Sequence, residues 1–386
     1  MQDSNNIENQ TESLGLNSDI AVAEKQLHIQ TSFSADSNEI VATVFDGGQL
    51  LEKKTRKLSP KKAHDDIAED LEQFHKKVAA EIELLFSIAE RVKKIKHAIS
   101  HNRMGLFFLK RNLLDEACEE FQTAIEKERD NPVFYFNLGE AYYAKQMFAN
   151  AVEEYRIAVE KGPRYADFRN RLGMTLCKQG KYLEATEHLR EAIRLNKKYH
   201  NAYYNLGITL IESADRDLRD SRLPPPSERL TEAAKLFRKA LQLSSNSYDR
   251  DHVKQGLRFI DERQVKSAHE EFLSANKEKE TSSFQDFENE FYLKFLFGNL
   301  GNDEQLVGAF IDGLELFIEQ NPDYADLHNH LGVAYLIRGR NLLLRAKDEF
   351  KKALDINPKF EKADKNLKLV ENDGRGFLIL LRALLK

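Results

Sequence analysis

Four glycines, Gly105, Gly139, Gly173 and Gly207, recur at one constant interval. The words around them repeat as Met-Gly-Leu-Phe-Phe, Leu-Gly-Glu-Ala-Tyr, Leu-Gly-Met-Thr-Leu and Leu-Gly-Ile-Thr-Leu. Ala117, Ala151 and Ala185 follow the first three glycines at an equally constant offset, and after them come Phe121, Tyr155 and Leu189, then Ala124, Ala158 and Ala192. No other feature constrains the chain as much. A period of about 34 residues with this content is a helix-turn-helix unit that cannot bury its apolar face alone and must stack on its neighbours. The small residues let two helices approach closely, and the large ones fill the space between them.

This pattern resembles the tetratricopeptide repeat (TPR) family, and Pro163 falls where that family places its turn proline. The resemblance implies a mostly α fold: a right-handed α-solenoid of about seven helix-turn-helix repeats spanning 98–372. Repeats one to three occupy 98–131, 132–165 and 166–199 without insertion. The fourth opens at His200 with Tyr203, Leu206 and Gly207, but its Ala233, Phe237 and Ala240 arrive late, behind an insertion. The insertion ends in Pro224-Pro225-Pro226, with Ser227 a candidate N-cap. The prolines either present an extended segment to a partner or stop one helix and space the next. A fifth repeat spans 249–282 (Gly256, Ala268, Phe272, Ala275), and a sixth spans 291–324 with Phe310 and Phe317 in place of alanine. A seventh spans 325–360, with Leu331, Gly332 and Tyr335, then Ala346, Phe350 and Ala353. Glu361 to Asn372 reads as a polar capping helix, and 373–386 as a short apolar C-terminal helix, too short to cross a bilayer. That tail is expected to dock on the last repeats.

Ahead of the repeats, 1–23 reads as a disordered tail and 24–97 as a small sheet followed by a long helix. Leu27, Ile29, Thr31 and Phe33 alternate with polar residues, Ile40 to Phe45 is β-branched, and Gln49 to Lys57 resumes after Asp46-Gly47-Gly48. The spacing predicts a three-stranded antiparallel meander, which needs a cover. The basic run Lys53, Lys54, Arg56, Lys57, Lys61 and Lys62 is either a contact for acidic partners or a solvated linker. From His64 to His97, Ile67, Leu71, Phe74, Val78, Glu81, Leu85, Ile88, Val92, Ile95 and Ile99 stand alternately four and three apart. This stripe is either a coiled-coil seam for homo-oligomerisation through 64–99 or an intramolecular face that covers the sheet.

Chemical signatures are missing. No Walker loop, dinucleotide fingerprint, nucleophile elbow or zinc spacing occurs, so no cofactor, metal or enzyme activity is expected. His328-Asn329-His330 invites a metal or nuclease reading, but neighbours on a helix turn apart and no third ligand accompanies them. Phe284, Phe287, Phe291 and Phe295 share a helical face, either lining a groove for an apolar ligand or forming core. A net charge of −5 gives no support to nucleic-acid binding. Cys118 and Cys177 read as free thiols in a reducing compartment, and the N-terminus shows no secretory signal, which points to the cytoplasm.

What the resemblance implies for function is protein or peptide binding in the concave groove lined by first helices. The candidate partner-binding residues are Phe136, Asn137, Glu140 and Tyr143, then Asn170, Arg171, Met174 and Lys178, then Tyr204 and Asn205. Arg171 is the expected anchor for an acidic group, and Asn137 and Asn205 are expected to bond a peptide backbone. Part of the family grips a C-terminal carboxylate with two lysines, two asparagines and an arginine. Here only Asn137 and Arg171 match; Asn102 and Asp167 stand at the lysine positions and Leu106 at an asparagine position, so that function is not carried over. Two readings follow: a non-enzymatic adaptor holding a partner in its groove, or a structural protein whose sheet and heptad helix self-associate.

Overall fold

Alternation of period two builds the N-terminal sheet. The computed structural model describes residues 15–23, 25–59, 64–216, 222–243, 248–275, 284–300, 303–322 and 325–356, with a few positions between 364 and 371. Residues 1–14, part of the proline-rich insertion, most of the expected capping helix and the apolar tail lie outside the described residues.

Strands β1 (Gly15–Val22), β2 (Lys25–Ser34), β3 (Glu39–Asp46) and β4 (Gln49–Lys57) form an antiparallel meander in the order β1-β2-β3-β4. The sheet therefore has four strands, not three, and β1 comes from the stretch expected to be tail. Its polar Asn17, Ser18 and Asp19 disfavour a strand locally, but the whole of β1 pairs with 25–32, and Ser18 Oγ lies 2.8 Å from His75 Nε2. The Asp-Gly-Gly turn has Gly47 and Gly48 at φ 53° and 86°, the mirror-image turn that suits a tight hairpin. Leu27, Ile29 and Thr31 of β2 and Ile40, Ala42 and Val44 of β3 bury one face.

Helix α1 (His64–Val92) covers that face. His75 Nδ1 lies 2.8 Å from Thr31 Oγ1, Arg56 reaches Asp70 at 3.3 Å, and Glu81, the polar break in the stripe, pairs with Lys54. Leu71, Phe74, Val78, Ile82 and Leu85 are buried within the single chain. Over 71–85 the stripe thus packs inside the chain, as the intramolecular reading expects. Of the basic run, Lys53 to Lys57 lie in the edge strand β4, where charge also discourages further strand addition, while Lys61 and Lys62 lie outside the described residues.

Five helix pairs follow: α2 (Ala98–Lys110) with α3 (Leu114–Lys127), α4 (Pro132–Ala144) with α5 (Phe148–Lys161), α6 (Ala166–Lys178) with α7 (Tyr182–Leu195), α8 (His200–Asp215) with α9 (Pro226–Leu243), and α10 (Arg250–Asp261) with α11 (Val265–Ala275). A Cβ built on Gly105, Gly139, Gly173, Gly207 or Gly256 would stand between 2.6 and 2.8 Å from Phe121, Tyr155, Leu189, Phe237 or Phe272 of the paired helix. The glycine period is thus a period of helix contacts. Between helices the chain turns at Asn112 and Gln146, with φ 57° and 59°, and at Gly180 with φ 74°. Ser227 is not the cap of α9, because the helix already begins at Pro226, a residue suited to a first turn. The sheet is tied to the first repeat by Lys25 with Glu116 at 2.6 Å, Arg111 with Glu52 at 3.6 Å, and Asn112 Nδ2 donating to Leu50 O at 3.1 Å.

Packing divides the chain into two units, Met1–Phe86 with Val92–Thr281, and Ser87–Arg91 with Ser282–Lys386. The second contains α12 (Phe284–Phe297), α13 (Glu304–Gln320) and α14 (Ala325–Ile356). Its phenylalanine stripe is core: Phe291 stacks on Phe310 at 3.7 Å, Phe284 meets Phe317 at 5.5 Å, and the Phe287 ring occupies the space a Cβ on Gly313 would need. Small and large have exchanged helices, which explains phenylalanines at alanine positions. The seventh helix pair does not form, since Ala325–Ile356 is one continuous helix of 32 residues. Gly339, at the turn position, costs a helix only about 1 kcal/mol, and Arg338, Arg340 and Leu342 around it are good helix formers. Nothing lies within 4 Å of a Cβ on Gly332, as expected without a returning partner helix. No helix among the described residues is long and apolar enough to cross a membrane.

Candidate peptide-binding groove

The first helices α2, α4, α6 and α8 place equivalent side chains in register, and their asparagines bond to one another. Asn137 Nδ2 donates to Asn102 Oδ1 at 2.8 Å, and Asn205 Nδ2 donates to Asn170 Oδ1 at 2.9 Å. Asn170 Nδ2 in turn donates to the Tyr199 hydroxyl at 3.3 Å. Buried amides need such partners, so this ladder fixes the spacing of the first helices. One donor on Asn137 and one on Asn205 are therefore committed within the chain, which leaves less for a ligand backbone than the sequence suggests.

Arg171 is likewise engaged. Its guanidinium pairs with Glu140 Oε2 and lies 5.5 Å from the Tyr143 ring, while Glu140 Oε1 accepts the Tyr155 hydroxyl at 2.6 Å. Burial works against its charge, but Glu140 and the neighbouring tyrosines more than offset that, so its pKa lies above the ordinary arginine value. Arg171 is a strut between α4 and α6, not a free anchor for an acidic ligand. Phe136 also has a packing role: it stacks on Phe168 at 4.5 Å and touches Tyr155 at 5.6 Å between ring centres.

The remaining expected residues gather around one cavity. Tyr143, Met174, Lys178, Tyr204 and Asn205 line about 300 Å³ together with Ile208 and Glu212 of α8 and Phe272 and Leu273 of α11. Tyr204 is its floor, 2% exposed, with its hydroxyl bonded to Phe272 O and its ring stacked 4.2 Å from Tyr248. Leu273 is 49% exposed at the rim. Glu212 was missed in the sequence because α8 runs to 16 residues against 13 for α4 and α6, which adds a turn where the glycine register predicts a stop. Leu273 was missed because it belongs to a second helix; the one available signal was an apolar residue directly after the core Phe272.

On the polar side of the cavity, Glu212 accepts the Tyr182 hydroxyl at 3.2 Å and the Cys177 thiol at 3.3 Å. Burial, reinforced by Glu212, pushes the Cys177 thiol up to about 12, and burial raises Cys118 to about 11. Neither sulfur is a nucleophile at neutral pH. No group of three or more metal-ligating side chains occurs among the described residues; His328 sits 3.1 Å from Pro322 O and His330 lies 3.6 Å from Glu288.

A family model for the TPR repeat matches residues 105–146 and 173–212, which run from α2 to α4 and from α6 to α8 and hold all four periodic glycines. These two stretches are tetratricopeptide repeats. Such repeats generally build protein-interaction scaffolds, and the family is generally non-enzymatic. No curated protein matches the sequence. Solved structures that overlay on part of this chain include MamA (19% identity, 44% of this chain and 93% of that one) and pilF of Pseudomonas aeruginosa (19%, 61% and 96%). A third is YrrB, described as a TPR protein with an unusual peptide-binding site (16%, 57% and 94%). All three have a TM-score of 0.36, and overlays that loose carry no argument about the groove.

Proposed function

We propose that this protein is a non-enzymatic adaptor that holds a segment of a protein partner in the groove of α4, α6, α8 and α11. The observation that carries the reading is the open cavity of about 300 Å³, with apolar walls from Met174, Ile208, Phe272 and Leu273 and the Asn205 amide beside them. That size is at the lower end of ligand pockets and suits one large side chain of a peptide better than a whole cofactor. A cytoplasmic location rests on the two buried free thiols. Self-assembly through 64–99 has less in its favour, because the stripe it would use is already buried on the sheet.

The test is a partner recovered from the native host with the intact chain. Ile208→Glu should abolish recovery at a temperature where circular dichroism shows the variant folded, a check needed because Ile208 also packs against the core. Undiminished recovery would move the site away from this groove.

A further inference from the structure

Charge on the groove wall is unevenly answered. Glu140 is met by Arg171 and by the Tyr155 hydroxyl. Glu212 is met by Tyr182 and Cys177, with Arg216 at 3.7 Å and His269 at 4.0 Å. Both carboxylates therefore already have partners within the chain. Lys178, in the last turn of α6, is exposed, lines the cavity, and has no ion-pair partner among the described residues. Asp167, the one carboxylate on α6, is at the opposite end of that helix, about 16 Å along its axis and too far to satisfy it. Lys178 also favours the negative end of the helix dipole, but that interaction leaves its three donors free for an oxygen ligand.

Apolar walls and one unanswered cation adjoin. We propose that the groove selects peptide segments in which a large apolar residue stands next to an aspartate or glutamate, the apolar side chain entering the cavity and the carboxylate meeting Lys178. This rests on the adaptor reading above and adds to it the chemistry of the partner. A basic neighbour is disfavoured, because Glu140 and Glu212 already have their donors and would not reach out to it. An aromatic or leucine anchor would exchange water for Met174, Ile208 and Leu273, and supplies most of the affinity. The carboxylate supplies selectivity of about two- to fivefold, the size of an exposed ion pair.

The intact chain, its Lys178→Glu variant and its Ile208→Glu variant are panned against a random peptide display library. The best peptide and its acid-to-lysine analogue are then titrated by fluorescence anisotropy. Enrichment of an apolar residue beside Asp or Glu is expected on the parent, with the lysine analogue at least threefold weaker. On Lys178→Glu the order of the two peptides should reverse, and on Lys178→Gln the difference should vanish. If peptides bind the parent, fail on Ile208→Glu, and show no change of order on Lys178→Glu, the charge rule is overturned while the groove reading stands. If no peptide is enriched, or enriched peptides ignore Ile208→Glu, the groove reading falls and takes the charge rule with it. Low salt should widen the preference and high salt narrow it.

Discussion

Replacing Gly139 by alanine probes the contact from which the repeat is built. The new Cβ would lie 2.6 Å from Tyr155 Cε1 and 2.7 Å from Cδ1. Carbon atoms rest about 3.5–4.0 Å apart, so the ring or the helix must move by about 1 Å. Tyr155 is fully buried and its hydroxyl is bonded to Glu140, so the ring cannot swing aside without loosening the Arg171 strut. Overpacking of this kind costs about 1–3 kcal/mol. Against it stands the helix-propensity gain of alanine over glycine, about 1 kcal/mol. The net expectation is a loss of up to about 2 kcal/mol, or a melting temperature lower by up to about 8 °C for a unit of this size. Gly308, inside α13 with nothing within 4 Å of a Cβ, is the control: Gly308→Ala has the propensity gain without the clash and should stabilise its own unit by about 1 kcal/mol. Calorimetry on both variants reads the two transitions directly. If Gly139→Ala melted above the parent, as Gly308→Ala should, α4 and α5 would not be in the contact described, and the packing account of the period would fail.

Further outcomes follow from the same geometry. Gln146 holds φ 59° where the next repeat has Gly180, so Gln146→Gly should relieve left-handed strain and stabilise by up to about 1 kcal/mol in urea titration, while a loss would show that the turn needs the side chain. Folding raises Cys118 to about 11, and Cys177, Tyr182 and Tyr199 to about 12, in each case mainly by burial. These groups keep their protons in the fold and lose them when unfolded, so their contribution is complete below about pH 9, the unfolded thiol range, and is lost as pH rises towards 12. Cys177→Ala should flatten that alkaline slope by one proton, and an unchanged slope would mean the thiol is not held protonated. For the same reason both thiols should resist a disulfide reagent at pH 7 until the chain unfolds; rapid labelling of the native protein would contradict their burial.

How much of this was legible follows from which residues act locally. The repeats could be read because Gly139 and Tyr155, or Gly173 and Leu189, must alternate small with large wherever two helices touch. The meander could be read for β2 to β4, where alternation and the Asp-Gly-Gly turn agree. β1 could not, because Asn17, Ser18 and Asp19 become a strand only through pairing with β2 and the His75 side chain. The seventh repeat failed for the opposite reason: Gly332 and its neighbours match the pattern, but a glycine at 339 does not stop a helix flanked by strong helix formers. In the groove, residue types were legible and their engagements were not. Arg171 looks free in the sequence and is held by Glu140, whereas Lys178 looks ordinary and is the cation left at the cavity.

The central claim is that a partner is held on the concave side of the first helices, and a photocrosslinking amino acid tests it in place. It would be installed at Ile208, half-buried on the cavity wall, and separately at Arg190, half-exposed on the second helix α7. Irradiation of host cells producing each full-length chain should give a discrete adduct with a protein partner from position 208 and none from position 190. An adduct from 190 with none from 208 would contradict the account.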